Sequence, residues 1–344
     1  MSTDAAPAVP RKLYAIPAFP PIAARLMATF ARSDIELRSV ADLIASEPTF
    51  GSRVLQFANS ARFSFNSKIT SVRHAVSMLG IEEVRNATTT LAMASYYRSS
   101  AVELVRCWRH TIACALLAEE IAKATGQFRD QAYTAGVLHD IGRLGLLAAY
   151  PSEYQQTVRD AAEHALDLLD YEREKFGLDH CEAGRWLAER WALPEDFRVI
   201  AGRHHDPPDG SPFDLCTLVH VACRLADHLD YDVTRPLRPV ELDELLAPLP
   251  EPARRRLTEE MDPIRKAIEL HIAEYGAFLP ETAKAAREES PEQAIAELQL
   301  SNEFTVCLPD AAPSSDSGGG AWKNAALLAI AAALGGWAWF TWMR

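Results

Sequence analysis

Five of the ten histidines fall into an ordered set with two aspartates. They are His110 in Cys-Trp-Arg-His, the His139-Asp140 pair in Ala-Gly-Val-Leu-His-Asp-Ile-Gly, His180, the His204-His205 pair, and Asp227 in Leu-Ala-Asp. Imidazole and carboxylate together suit borderline divalent ions such as iron, manganese, zinc, nickel or cobalt. One carboxylate can bridge two ions, and paired ions can activate water for attack on phosphorus. A guanidinium such as that of Arg143 pairs phosphate oxygens in a bidentate fashion. Asp140 and Arg143 are the candidate catalytic groups, and His110, His139, Asp140, His180, His204, His205 and Asp227 the candidate metal ligands, in roles that a family resemblance given below implies.

Each residue also has a plainer reading. His139-Asp140 could be a hydrogen-bonded cap inside the fold. His204-His205 could be a polar C-terminal turn favoured by the helix dipole. His180 could be an ordinary first-turn residue behind Asp179 as N-cap. Asp227 could face solvent, although it lies on a strongly apolar helix, where a buried unpaired carboxylate is costly. Arg143 could be a solvated surface residue. His74, His164, His220, His228 and His271 fit no constellation. The six cysteines show no Cys-x-x-Cys spacing, which points to reduced, buried thiols rather than a cysteine metal site.

The elements that must position these groups are helices. Val40, Leu43, Ile44 and then Phe50, Val54, Leu55, Ala58 follow three-four spacing, with Pro48 at the start of the second run. Val72, Ala75, Val76 and Leu79 repeat it, and Gly80 is placed to end that helix. Further helices are expected over 103–124, over 132–147 as one or two pieces, and over 153–175, stopped by Gly177. Others follow near 180–191, 195–205, 213–229, 254–276 and 291–300, with a Pro-rich loop between 235 and 252. No run alternates like a strand.

The order His110…His139-Asp140…Asp227 resembles the HD superfamily of metal-dependent phosphohydrolases. Adding His180, His204 and His205 makes it similar to the HD-GYP branch, which cleaves cyclic dinucleotides at a two-metal centre. That resemblance implies one ion on His110, His139, Asp140 and Asp227, and a second on Asp140, His180, His204 and His205. The branch has Lys where this chain has Arg143, and its Gly-Tyr-Pro signature is absent from His204-His-Asp-Pro-Pro-Asp-Gly-Ser-Pro212.

Four N-terminal motifs narrow the resemblance. They are Ile16-Pro17…Pro20-Pro21, Ala41-Asp-Leu-Ile-Ala-Ser-Glu-Pro48, Val54-Leu-Gln-Phe-Ala-Asn-Ser60 and Ile69-Thr-Ser-Val-Arg-His-Ala-Val-Ser-Met-Leu-Gly80. Together they resemble the HDOD domain, an HD-related module of bacterial signalling proteins, over about residues 13–230. This implies an all-α fold in two parts, an N-terminal helical subdomain (13–100) and an HD-like bundle (101–230). It also implies a regulatory role, with a signalling protein or a nucleotide as partner and one or two divalent ions as cofactor. A metal-dependent phosphohydrolase or phosphodiesterase is the alternative.

Residues 1–12 are expected to be disordered, 231–308 to form a helical extension and 309–320 a flexible linker. Residues 321–343 are expected to form a C-terminal transmembrane helix. From Asn324 to Met343 only Asn324 and Thr341 are clearly polar, and Trp337, Trp339 and Trp342 cluster near one end. Small residues four apart on this run could pair two chains as a homodimer. Residues 1–12 carry no apolar stretch of signal-peptide length, so the main domain is expected on the cytoplasmic side of the inner cell membrane. The net charge of −12 argues against nucleic acid as a partner of the bulk surface.

Overall fold

A computed structural model describes residues 9–279, apart from 33, 61, 64, 66, 97–101, 209–211 and 235–239. Every regular element among the described residues is helical, as the all-α expectation requires. A short 3-10 turn (Arg11–Ala15) leads into α1 (Pro21–Phe30), α2 (Leu37–Ala45), α3 (Pro48–Ala58) and α4 (Val72–Ala94). Next come α5 (Val102–Thr125), α6 (Ala132–Leu138), α7 (Ile141–Ala149), α8 (Pro151–His164), α9 (Leu168–Phe176), α10 (His180–Arg190) and α11 (Glu195–Arg203). The series closes with α12 (Leu215–His228), α13 (Leu242–Leu246), α14 (Glu251–Glu259) and α15 (Met261–Gly276).

Proline opens several of these helices because its fixed φ suits the first turn and its missing N–H is not needed there. α1 to α4 close over a core that includes Leu26, Ile44, Val54 and Val84. Asn59 ends α3 and clamps the next loop. Its amide donates to the Leu55 and Ile69 carbonyls, both at 2.8 Å, and its Oδ1 accepts from the Ile69 N–H. α5 is the central strut. Its residues Ile112, Leu117 and Ile121 have no exposure, and α6, α12, α14 and α15 pack around it.

Three helix boundaries differ from expectation. Gly80 does not end a helix outright; at φ 78° it breaks α4, and the chain resumes as helix at once. The helix expected over 153–175 is two, α8 and α9, because Ala165 turns left-handed at φ 50° and Asp167 caps the second. The helix expected over 254–276 is also two, with Glu260 between α14 and α15. α13 lies inside the stretch read as a Pro-rich loop.

No helix among the described residues is long and apolar enough to cross a membrane. The expected helix at 291–300, the linker at 309–320 and the transmembrane helix at 321–343 lie outside the described residues. So do residues 1–8 of the expected N-terminal tail, whereas Arg11 and Lys12 belong to the leading 3-10 turn.

Candidate metal centre

The seven candidate ligands sit on five elements. His110 lies within α5, and His139 and Asp140 fill the break between α6 and α7. His180 opens α10, His204 and His205 follow α11, and Asp227 is in the last turn of α12. A capping box fixes the start of α10: Asp179 accepts from the Glu182 N–H at 2.7 Å, and Glu182 accepts from the Asp179 N–H at 2.9 Å. α7 and α10 touch backbone to backbone at Gly142, where a Cβ would collide with the His180 carbonyl oxygen. That approach brings His180 Nε2 within 3.7 Å of Asp140 Oδ1, and His204 Nε2 stands 3.8 Å from the same oxygen.

Backbone carbonyls orient the imidazoles. His110 Nδ1 faces the Tyr231 carbonyl at 3.1 Å, His139 Nδ1 that of Gly136 at 2.6 Å, and His204 Nδ1 that of Ala201 at 3.3 Å. A carbonyl oxygen only accepts, so each Nδ1 must carry the proton and each neutral ring keeps its lone pair at Nε2. The Nε2 atoms point inward. Those of His110 and His139 are 3.2 Å apart, and those of His180 and His205 are 3.1 Å apart. Two lone pairs facing each other at 3.2 Å repel, and a cation between them removes that repulsion. Outer-side hydrogen bonds of this kind accompany metal-ligating histidines.

The charges agree with this arrangement. Burial drives His139, His204 and His205 down from the ordinary imidazole value and takes His110 down to about 3, so these rings stay neutral. Burial would raise Asp140, but Arg143 and the surrounding histidines outweigh it and hold the carboxyl well below its usual range. Arg143 Nε lies 2.6 Å from Asp140 Oδ2, yet the pair is not aligned as a hydrogen bond. Both Asp140 oxygens and His204 Nε2 are buried without a hydrogen-bond partner. Among the described residues, three groups of donors have their ligand atoms within 4.8 Å of one another: His139, Asp140 and His204; His180, Cys181, His204 and His205; and His110, His139 and Cys223.

Asp227 stands apart from these groups. Its Oδ1 is 3.4 Å from His110 on the Nδ1 side, and its Oδ2 is 3.3 Å from Arg224 Nη1. Burial raises the Asp227 carboxyl to about 7. Arg143 is buried, which corrects the surface reading considered for it. A cavity of about 450 Å³ opens over the centre, with His110, Arg143, His180, His205, Arg224 and Asp227 among its lining residues. Leu166, Leu168, Val233 and Val240 also line it.

Four participants were not singled out by sequence. Glu172 has no exposure and accepts from the His180 backbone N–H at 2.8 Å, from His180 Nδ1 at 2.6 Å and from the Tyr154 hydroxyl at 2.5 Å. Burial and Arg143 press His180 toward its neutral form, but Glu172 opposes them and the ring is raised to about 10. The signal for Glu172 was its place four residues after Leu168 and four before Phe176, on the apolar stripe of α9. Cys223 and Cys181 were set aside for lack of Cys-x-x-Cys spacing. His220, assigned to no constellation, bonds the His204 carbonyl through Nδ1 at 2.8 Å.

The HDOD domain family model matches residues 16–207, more than half of the 344 residues. The chain belongs to the HDOD domain family. A protein of Treponema pallidum (strain Nichols) is 27% identical to it over 217 residues, covering 60% of this chain and 41% of that protein. This HDOD chain thus spans less than half the length of that relative. The crystal structure of an HDOD domain protein from Geobacter sulfurreducens is similar at TM-score 0.62 and 26% identity, over 74% of this chain and 92% of that one. A candidate phosphohydrolase from Shewanella amazonensis SB2B shares the fold at TM-score 0.58 and 22% identity, over 78% and 97% of the two chains.

Proposed function

We propose that this HDOD chain is a signalling module that binds a divalent ion and, above it, a phosphorylated ligand of nucleotide size, close to a membrane. One observation carries the reading: neutral imidazoles, clamped from behind by carbonyls, aim their lone pairs around a buried carboxylate beneath an open cavity. The donor set fits a borderline ion, and the unpartnered Asp140 oxygens and His204 Nε2 are the groups such an ion would satisfy. His139 and Asp140 would hold it, with His110 on one side and His204 and His205 on the other, and His180 would join only on giving up its second proton. A bound ion would supply Lewis acidity toward a phosphoryl oxygen. Arg143 and Arg224 line the cavity and would neutralise phosphate charge, while Leu166, Leu168 and Val233 offer apolar contact to a base.

The metal reading is tested by reconstituting the full-length protein with zinc or manganese and measuring bound metal after desalting. At least one ion per chain should remain in the wild type and be lost in Asp140→Ala. A wild type that retains none sinks the reading. The membrane part rests on the apolar, tryptophan-flanked run at 321–343. Deleting residues 321–344 should move the protein from the membrane to the soluble fraction; a full-length chain already soluble without detergent would refute tethering.

A second reading, phosphodiester hydrolysis, is favoured by one feature. The Arg143 guanidinium lies beside Asp140, whose oxygens accept no hydrogen bond. Metal-dependent turnover of a cyclic dinucleotide or an activated phosphodiester, lost in Asp140→Ala, would establish it. Binding without turnover would leave the signalling module.

A further inference from the structure

His110 presents two different faces. On its Nδ1 side are the Tyr231 carbonyl at 3.1 Å and Asp227 Oδ1 at 3.4 Å. Donation from Nδ1 leaves the lone pair at Nε2, so a donor that shares an ion with His110 must lie on the Nε2 side. Asp227, the carboxylate that the sequence pattern offers for this ion, lies on the other. The Nε2 side holds His139 Nε2 at 3.2 Å and Cys223 Sγ at 3.6 Å. All three residues are buried, and their ligand atoms lie within 4.8 Å of one another.

The spacing is that of a coordination shell. With usual zinc–nitrogen and zinc–sulfur bond lengths, tetrahedral geometry puts two nitrogens about 3.3 Å apart and nitrogen and sulfur about 3.6 Å apart. Cys181 belongs to a different donor group, with His180, His204 and His205. Cys181 Sγ approaches His204 at Nδ1, 3.9 Å away, and that nitrogen faces the Ala201 carbonyl.

We propose that His110, His139 and Cys223 form a two-histidine, one-thiolate site for a borderline or soft ion of the zinc, cobalt or nickel class. The proposal rests on the metal reading above, places the ion on the His110 side of His139, and specifies which ion that centre selects. A thiolate ligand favours such ions over magnesium, calcium and manganese, which prefer oxygen. On binding, the Cys223 sulfur forms the bond to the ion and its thiol proton leaves to solvent. Cys223 lies outside residues 16–207, so the family match does not supply this ligand.

The experiment is cobalt substitution of the full-length protein. Bound cobalt should give a near-ultraviolet thiolate-to-cobalt charge-transfer band beside its visible ligand-field bands. Cys223→Ser should lose the near-ultraviolet band while still binding cobalt, and Cys181→Ser should keep it. If Cys223→Ser does not fold, X-ray absorption at the zinc edge of Cys181→Ser decides, and a sulfur neighbour is expected. Cobalt bound without the band, a band that survives in Cys223→Ser, or a zinc shell without sulfur overturns the proposal and leaves the metal reading standing. A protein that binds no cobalt or zinc overturns both.

Discussion

Glu172 and His271 illustrate what one buried group can cost. Glu172→Gln keeps the shape but removes the charge that His180 and Tyr154 share. Hydrogen bonds to a charged partner contribute about 1.5–3 kcal/mol, so the variant should lose about 2 kcal/mol in urea denaturation. Bound metal should also fall, because outer-side partners fix the ligand's orientation. His271 is buried in α15, and its Nδ1–H donates to the Ala267 carbonyl at 2.7 Å. Burial and Arg62 lower it from the ordinary imidazole value to about 4. The unfolded chain therefore takes up a proton that the fold refuses. Stability is intact above about pH 6.5 and falls as pH drops toward about 4, by about 3 kcal/mol from this residue. His271→Gln should flatten that part of the pH–stability curve by a comparable amount; an unchanged curve would show that His271 is not the group responsible.

At the scale of elements, the contact between α7 and α10 is the most constrained. Gly142→Ala would drive a methyl group into the His180 carbonyl, and overpacking of this kind costs about 1–3 kcal/mol. The denaturation midpoint should fall, and the displaced His180 should weaken metal retention with it. A variant of wild-type stability and metal content would mean that the two helices separate freely. Much of this framework was legible in the sequence. α5 and α12 announce themselves by apolar stripes, and His139-Asp140 by standing between two apolar helices. The turn at Ala165 was not legible, because no glycine or proline marks it. The chain takes the left-handed angle there so that α9 can fold back on α8 and bring Glu172 to Tyr154. Glu172 stands on the apolar stripe of α9, but without that fold-back nothing in the sequence shows what it meets there. The two sides of His110 were hidden for a different reason: a ligand pattern records residue types, not which ring nitrogen faces inward.

At the scale of the molecule, the family match ends at residue 207, yet the core does not. α12, α14 and α15 complete the surroundings of α5, and Tyr275 of α15 stacks on Phe57 of α3 with ring centres 5.2 Å apart. Arg256 of α14 pairs with Glu120 of α5, and Arg109 of α5 pairs with Glu269 of α15 at 3.0 Å. A chain ending at residue 234 should expose Phe57 and one side of α5, bind a hydrophobic dye and aggregate. A chain ending at 279 should do neither. Equal behaviour of the two would mean that α13 to α15 are an appendage.

The carbonyl clamps behind His110 and His139 have a thermodynamic consequence. They hold two lone pairs against each other in the folded chain, and unfolding releases both rings to water. Folding and ion capture are therefore linked equilibria. Each tenfold rise in free ion above the dissociation constant adds about 1.4 kcal/mol to the folded state. The melting temperature should climb with zinc and drop on chelation. If the ion proves exchangeable, such a chain would be an ion-concentration sensor whose readout is its own persistence.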